Sequence, residues 1–225
     1  TTYEAYLDFK KENQNYVIPL LPKHFIFEYK TAIFPLSGIP NKPVMSCNEN
    51  GYYAAYENDR YGFNNPDDNW DNEVIDFILL GDSSTHGDCV NEANTIGGNL
   101  RSYENVNGLL NLAQAGNDPL MEYATLKEYL PKKKINNVVM LYHEWNDIEG
   151  LNDSLAHPIL KKYFNDDNYL QNLLKMDKKK LLEIKLKNMN ARIKRAEENQ
   201  KEIDWQKDNK KLHERRKLFK LIRNT

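Results

Sequence analysis

The sequence is poor in the residues that mark several common protein classes. Its 225 residues include two cysteines, ten glycines and nine prolines. Two cysteines cannot build a disulfide-rich scaffold or a four-cysteine zinc site, and the composition excludes a collagen-like or fully disordered chain. No apolar run approaches the roughly 20 residues that a membrane-spanning helix needs. An ordinary apolar core must therefore hold the chain together.

The net charge of −2 conceals two segments of opposite sign. Residues 1–170 carry 13 Lys and Arg against 25 Asp and Glu, whereas residues 171–225 carry 18 against 8. The basic charges of the tail are spread around a helical pattern with few aromatic residues between them. This pattern favours a solvated helix, and contact with an anionic membrane surface is the second interpretation. No nucleic-acid partner is expected.

Short apolar runs alternate with helical patterns from Val74 onward, which predicts βαβ units and a parallel sheet. The predicted strands cover residues 74–80, 108–113 and 137–142, and Pro119 is placed to open a helix. The sequence thus divides into an irregular, edge-strand segment (1–73), an α/β core (74–155) and a charged helical extension (156–225). We expect the domain to continue beyond that extension.

One motif follows the first predicted strand directly, and it contains the serine of greatest interest. Residues 81–87 read Gly-Asp-Ser-Ser-Thr-His-Gly. Ligands of open α/β sheets bind at the carboxyl ends of the strands, so Ser83 would be presented to a ligand there. The alternative is a structural strand-to-helix turn in which Asp82 or Ser83 caps the helix.

Two further strand ends carry residues of matching chemistry. Gly116 follows the second predicted strand, and Asn146 follows the third. A glycine lets its backbone N–H approach a ligand closely, and an asparagine amide is a neutral donor suited to a developing oxyanion. Because parallel strands end at one edge of a sheet, we expect these groups to lie on the same side as Ser83.

This arrangement resembles the SGNH, or GDSL, hydrolase family over roughly residues 50–153. The resemblance implies a flavodoxin-like, three-layer α/β/α fold with a parallel sheet. It also implies that Ser83 is the nucleophile, and that its own N–H, the Gly116 N–H and the Asn146 side chain form the oxyanion hole. The segment Asn58–Pro66 is similar to an upstream segment of envelope-associated, polysaccharide-linked members.

The chain departs from the family pattern at two places. Glu144 stands where the family usually has a glycine, and the Asp-x-x-His block that supplies the general base has no match. His157 and His213 are the weak alternatives for a base within the chain, and His86 and His143 are structural or substrate-side candidates. The simplest interpretation is that the base lies beyond residue 225.

The resemblance implies a serine ester hydrolase or O-acyl transferase acting on an acylated carbohydrate or cell-envelope glycan. The alternative is a non-catalytic glycan-binding or assembly protein with the same fold. No cofactor and no metal are expected, because no phosphate-binding Gly-rich loop is present and the acidic residues 67–73 lack a calcium-loop pattern.

The expected location is extracytoplasmic, in the periplasm or cell envelope. Thr1 is not an initiator methionine, which is typical of a chain that has lost a leader or an anchor. Cys47 and Cys89 flank the same presumed site and could form a disulfide, and two free thiols in a reducing compartment are the alternative.

Overall fold

The structure, a computed structural model, describes residues 2–28, 30–49, 51–130, 132–143, 148 and 150–223. Its contacts divide the chain into a compact first unit, Thr1–Leu186, and a second unit, Lys187–Thr225. The first unit therefore continues past residue 155, where the sequence places the end of the α/β core. The second unit consists of the remainder of one long helix.

The strands are β1 (Pro43–Cys47), β2 (Ala54–Glu57), β3 (Val74–Gly81), β4 (Leu109–Asn111) and β5 (Lys134–Leu141). The α-helices are α1 (Thr2–Lys10), α2 (Ser83–His86), α3 (Ile96–Arg101), α4 (Pro119–Tyr129), α5 (Leu151–Ala156), α6 (Leu160–Asn165) and α7 (Lys178–Arg223). Short 3₁₀ helices cover Pro22–Phe25, Asp67–Asp71, Glu92–Asn94 and Leu173–Lys175. None of the helices in the described part of the chain has the length and apolar character that crossing a membrane requires.

The central sheet is parallel and has the strand order β4-β3-β5. This confirms the predicted α/β class with a parallel sheet. Side chains alternate between the two faces of a strand, and β3 buries Ile75 on one face and Ile78 on the other, both 0% exposed. Both faces of the central strand are therefore covered, as parallel sheets require.

The N-terminal segment builds a sheet of its own. Strands β1 and β2 pair antiparallel, with Val44 opposite Tyr56. Within the described residues, neither strand joins the parallel sheet, so they are not edge strands of that sheet.

The helical region after β5 is interrupted, which differs from the continuous pattern predicted from about residue 155. Helix α5 ends at Ala156, and His157 adopts extended backbone angles before Pro158. A residue that precedes proline is disfavoured in the helical region because the proline ring clashes with it. Helix α6 starts only at Leu160, and α7 follows after a further break.

A buried carboxylate organises the segment Asn58–Pro66. Asp59 is 1% exposed, and its two oxygens accept hydrogen bonds from five N–H groups. Those donors are the backbones of Tyr61, Gly62 and Phe63, the Asn65 amide and the Trp70 indole, at 2.7 to 3.0 Å. The ionised carboxylate, which only accepts, matches this set of donors.

Replacing this carboxylate should destabilise the fold strongly. Asp59→Ala leaves buried donors without an acceptor, so we expect the free energy of unfolding to fall by about 3–5 kcal/mol in chemical denaturation. Asp68→Ala is the control, because Asp68 is exposed in the same region, and should change stability by less than about 0.5 kcal/mol. Equal stabilities for the two variants would contradict the role of Asp59.

A disulfide joins the N-terminal sheet to the residues that follow α2. Cys47 and Cys89 are bonded, with their Cα atoms 5.2 Å apart. Beside the bond, the Ser46 hydroxyl donates to Asp88 at 2.5 Å. The structure thus favours the paired alternative, and a disulfide is compatible with an oxidising, extracytoplasmic compartment.

Alkylation should distinguish paired from free cysteines. In protein purified without reductant, we expect no mass increase on treatment with iodoacetamide, and two added groups only after reduction. The bond closes a loop with a sequence separation of 42, so reduction should lower the free energy of unfolding by about 2–4 kcal/mol. Two thiols alkylated without reduction would overturn the pairing.

Candidate active site

Ser83 is the first residue of α2 and follows the end of β3 by two positions. Asp82 caps the helix, since its Oδ1 accepts a hydrogen bond from Ser84 N at 3.0 Å. The Ser83 hydroxyl is half-buried and donates to Asp82 Oδ2 at 3.3 Å. The capping interpretation is therefore correct for Asp82, and it leaves Ser83 Oγ at the carboxyl edge of the sheet.

Gly81 allows β3, β5 and α2 to come together immediately before the serine. Its φ is +153°, and a Cβ placed there would lie 2.8 Å from Thr85 Cβ and 2.9 Å from the Leu141 carbonyl oxygen. Because the Leu141 oxygen belongs to the backbone of β5, a side chain at this position would displace a strand. A glycine is thus required at position 81, because β5 and α2 come too close to this backbone to leave room for a side chain.

Gly116 lies in the loop after β4, at the same edge of the sheet. Its φ of +76° is in the left-handed region, which favours glycine. The Lys23 side chain lies against it, with Nζ 2.7 Å from where a Gly116 Cβ would be. The charge of Lys23 also acts on His86 of α2, so this lysine is close to both Gly116 and the serine helix.

Lys23 is a candidate site residue that the sequence analysis did not find. It lies in the 3₁₀ helix Pro22–Phe25, within a stretch that has no periodic pattern. A cation beside Gly116 can stabilise negative charge that develops on a bound ligand. No local sequence signal indicates this position, because the lysine reaches the sheet edge only through the tertiary fold.

Asn146, the third predicted oxyanion donor, lies outside the described residues. Asn117, next to Gly116, is 2% exposed. Neither polar atom of its amide has a hydrogen-bond partner among the residues that the structure covers. A buried amide of this kind can serve a ligand or an ordered water. Asp118, the next residue, is engaged in capping α4 through Leu120 N and Met121 N.

Hydrogen bonds from the segment Asn58–Pro66 fix the position of the serine helix. The Asn64 amide donates to the His86 carbonyl at 3.1 Å, and Asn111 of β4 donates to the Thr85 carbonyl at 2.7 Å. Asn65, the neighbour of Asn64, binds the backbone of Asn111: its amide N–H donates to the Asn111 carbonyl, and its amide oxygen accepts from the Asn111 N–H. The carbonyl groups at the end of α2 are thereby satisfied, and the helix is attached to β4.

His86 is buried and uncharged. Its ring is 5.3 Å from that of Tyr56, and neither ring nitrogen has a hydrogen-bond partner within the described residues. Burial lowers the pKa of His86 to about 4, with Lys23 adding to the effect and Asp88 opposing it. A fully buried neutral ring without a hydrogen bond to Ser83 is a packing residue in this conformation.

The other histidines do not complete a triad with Ser83 in the described structure. His157 is 0% exposed, lies 4.8 Å from the Phe34 ring and accepts a hydrogen bond from Ile159 N at 3.3 Å. Burial lowers the pKa of His157 as well. His143 is exposed just after β5, and the side chain of His213 lies outside the described residues.

Acid should destabilise the protein through His86. The pKa of His86 is about 4 in the folded protein against an ordinary 6.5. Between these values the unfolded chain binds more protons than the folded protein does, so the free energy of unfolding falls as the pH is lowered. The loss should approach roughly 3 kcal/mol across this window. His86→Phe removes the titrating group and should reduce the slope of unfolding free energy against pH. Identical slopes for both proteins would show that His86 is solvated or paired.

The described residues contain one group of His, Cys and acidic side chains close enough together to hold a metal ion. It consists of Cys47, Glu49 and Cys89, whose ligand atoms lie within 4.8 Å of one another. Both sulfurs belong to the disulfide, and thiolates are the form that binds metals. This group therefore does not offer a metal site in the oxidised protein.

Comparison of the chain with protein-family models, curated proteins and solved structures found no match.

Proposed function

We propose that the protein is an SGNH-like serine ester hydrolase or O-acyl transferase with Ser83 as its nucleophile. The observation that carries the proposal is the position of Ser83 at the carboxyl end of β3, the central strand of the order β4-β3-β5. In chain order this is 2-1-3, the order of the first three strands of a flavodoxin-like, three-layer sheet. In such a sheet the order reverses between the first and third strands, and ligands bind there.

The proposed reaction is acyl transfer through a covalent intermediate. Ser83 Oγ attacks the carbonyl carbon of the ester, and the bond from that carbon to the alcohol oxygen breaks. The serine proton goes to the leaving oxygen, so an alcohol departs and an acyl-serine remains. A water or an acceptor hydroxyl then attacks the acyl-serine, which regenerates Ser83 and releases an acid or a new ester. Each step passes through a tetrahedral oxyanion.

Four groups are proposed to stabilise that oxyanion. They are the N–H of Ser83, the N–H of Gly116, the Asn146 side chain and the charge of Lys23. Loss of one donor of this kind typically lowers the rate on the order of a hundredfold. We expect Asn146→Ala to reduce turnover without unfolding the protein.

The proposed substrate is an acylated carbohydrate or a cell-envelope glycan in an extracytoplasmic compartment. The resemblance of Asn58–Pro66 to polysaccharide-linked proteins supports the substrate class, and the Cys47–Cys89 disulfide supports the compartment. The basic residues after 170 support contact with an anionic membrane surface.

One observation favours the non-catalytic alternative, a glycan-binding or assembly protein. The hydrogen-bond partner of the Ser83 hydroxyl is the neighbouring Asp82 carboxylate rather than a histidine. A serine hydroxyl attacks poorly without an adjacent base. If the cleft only binds a glycan, Ser83 would donate hydrogen bonds and would not be acylated.

Covalent labelling tests the proposal more sensitively than turnover does. We expect a fluorophosphonate probe to add one group at Ser83 in the native protein, and we expect the protein to hydrolyse p-nitrophenyl acetate weakly. Ser83→Ala should abolish both the label and the hydrolysis. Ser84→Ala is the matched control, since Ser84 is the exposed next residue, and should retain both. Labelling or hydrolysis that survives Ser83→Ala would refute the nucleophile.

The same variants separate the enzyme from the binding module. If the protein only binds glycans, the probe will not label Ser83, and an O-acetylated oligosaccharide will bind without being deacetylated. Deacetylation that is lost in Ser83→Ala and kept in Ser84→Ala supports the enzyme.

A further inference from the structure

The first unit contains a cavity whose lining includes none of the residues assigned to the ester site. Its volume is about 230 Å³. One wall is apolar and consists of Leu173, Leu174, Leu181 and Leu182. The lining also carries polar groups, among them the buried Tyr129 and Lys185, so the cavity is amphipathic.

Lys185 is the exceptional member of this lining, because it is a lysine that is only 1% exposed. Its Nζ donates to Ser37 Oγ at 2.9 Å and to the Gly38 carbonyl at 2.7 Å. A lysine ammonium has three N–H donors. The third is therefore left for an occupant of the cavity.

Ser37 anchors the lysine rather than acting as a nucleophile. Its hydroxyl proton is donated to the Tyr61 carbonyl at 2.7 Å. Ser37 Oγ must then accept from both Lys185 and the Tyr129 hydroxyl, which lies 3.0 Å away. Ser37 is also absent from the cavity lining, so a bound molecule would meet Lys185 and Tyr129.

The positive charge of Lys185 has no carboxylate partner within the described residues. Asp59 acts on it from a distance, but the Asp59 oxygens are occupied by five N–H donors. Arg60, also in the lining, is held by Asp67 and Asp71 at 2.7 and 2.8 Å. An unpaired buried ammonium is costly, and a bound anion would remove that cost.

We propose that this cavity binds a small organic monocarboxylate, with its carboxylate on Lys185 and its apolar body against the leucine wall. Lys185 is the buried cation of the lining, because Lys178, which also lines the cavity, is exposed and Arg60 is already paired. One buried ammonium matches one carboxylate, whereas a phosphate dianion calls for more donors. A cavity of about 150 Å³ holds benzene, so this larger one accommodates a carboxylate with a chain or ring of about ten non-hydrogen atoms. The site is independent of the ester chemistry proposed for Ser83.

Titration calorimetry with octanoate tests the site, with octanol as the neutral probe of the same chain length. Octanoate should bind the native protein at neutral pH at least about tenfold more tightly than octanol. Lys185→Met should remove that preference. Lys179→Met removes the same charge from an exposed position of α7 outside the cavity, and should bind octanoate like the native protein.

A second variant keeps the test valid if Lys185→Met does not fold, which circular dichroism will show. Leu182 lines the cavity and is 37% exposed, so Leu182→Trp fills the space and retains the lysine. It should weaken both ligands about tenfold or more. The proposal is overturned if the native protein does not bind octanoate, if octanol binds equally well, or if octanoate binding survives Leu182→Trp.

Discussion

The carboxylate of Asp59 is the constraint on which the candidate active site depends. Five N–H groups converge on it in a buried position, and this convergence gives the segment Asn58–Pro66 a conformation that apolar packing alone would not specify. Asn64 and Asn65 are thereby held where they contact His86 and Asn111. The position of Ser83 thus depends on the hydrogen bonds made by the segment Asn58–Pro66 as well as on the end of β3.

The serine helix is attached on two sides, and α2 is too short to be stable alone. The asparagine network holds the carbonyl groups of Thr85 and His86, while the disulfide at Cys89 fixes the chain that leaves the helix. Reactive groups must be held to within fractions of an ångström for efficient chemistry. Two independent attachments around one helical turn are consistent with such a requirement.

Local and periodic signals predicted much of the fold. The apolar run from Val74 and the proline at 119 correctly predicted β3 and the start of α4, because each depends on neighbours in sequence. Parallel strands then put Ser83 and Gly116 at one edge. The break between α5 and α6 has a local cause in Pro158, but the helical pattern on both sides of it predicts a helical extension without this break. The positions of Lys23 and Lys185 depend on contacts distant along the chain, and no periodicity records such contacts.

Burial without an ionic partner has different consequences for the two basic residues that it affects most. His86 has an ordinary pKa near neutrality, so burial makes it neutral throughout the physiological range, and it serves as an aromatic packing group. Lys185 starts from a much higher value, and burial lowers its pKa to about 7, against the opposing charge of Asp59. A lysine so close to the balance between its two forms responds strongly to a nearby negative charge. The same desolvation therefore leaves one residue structural and makes the other suited to binding an anion.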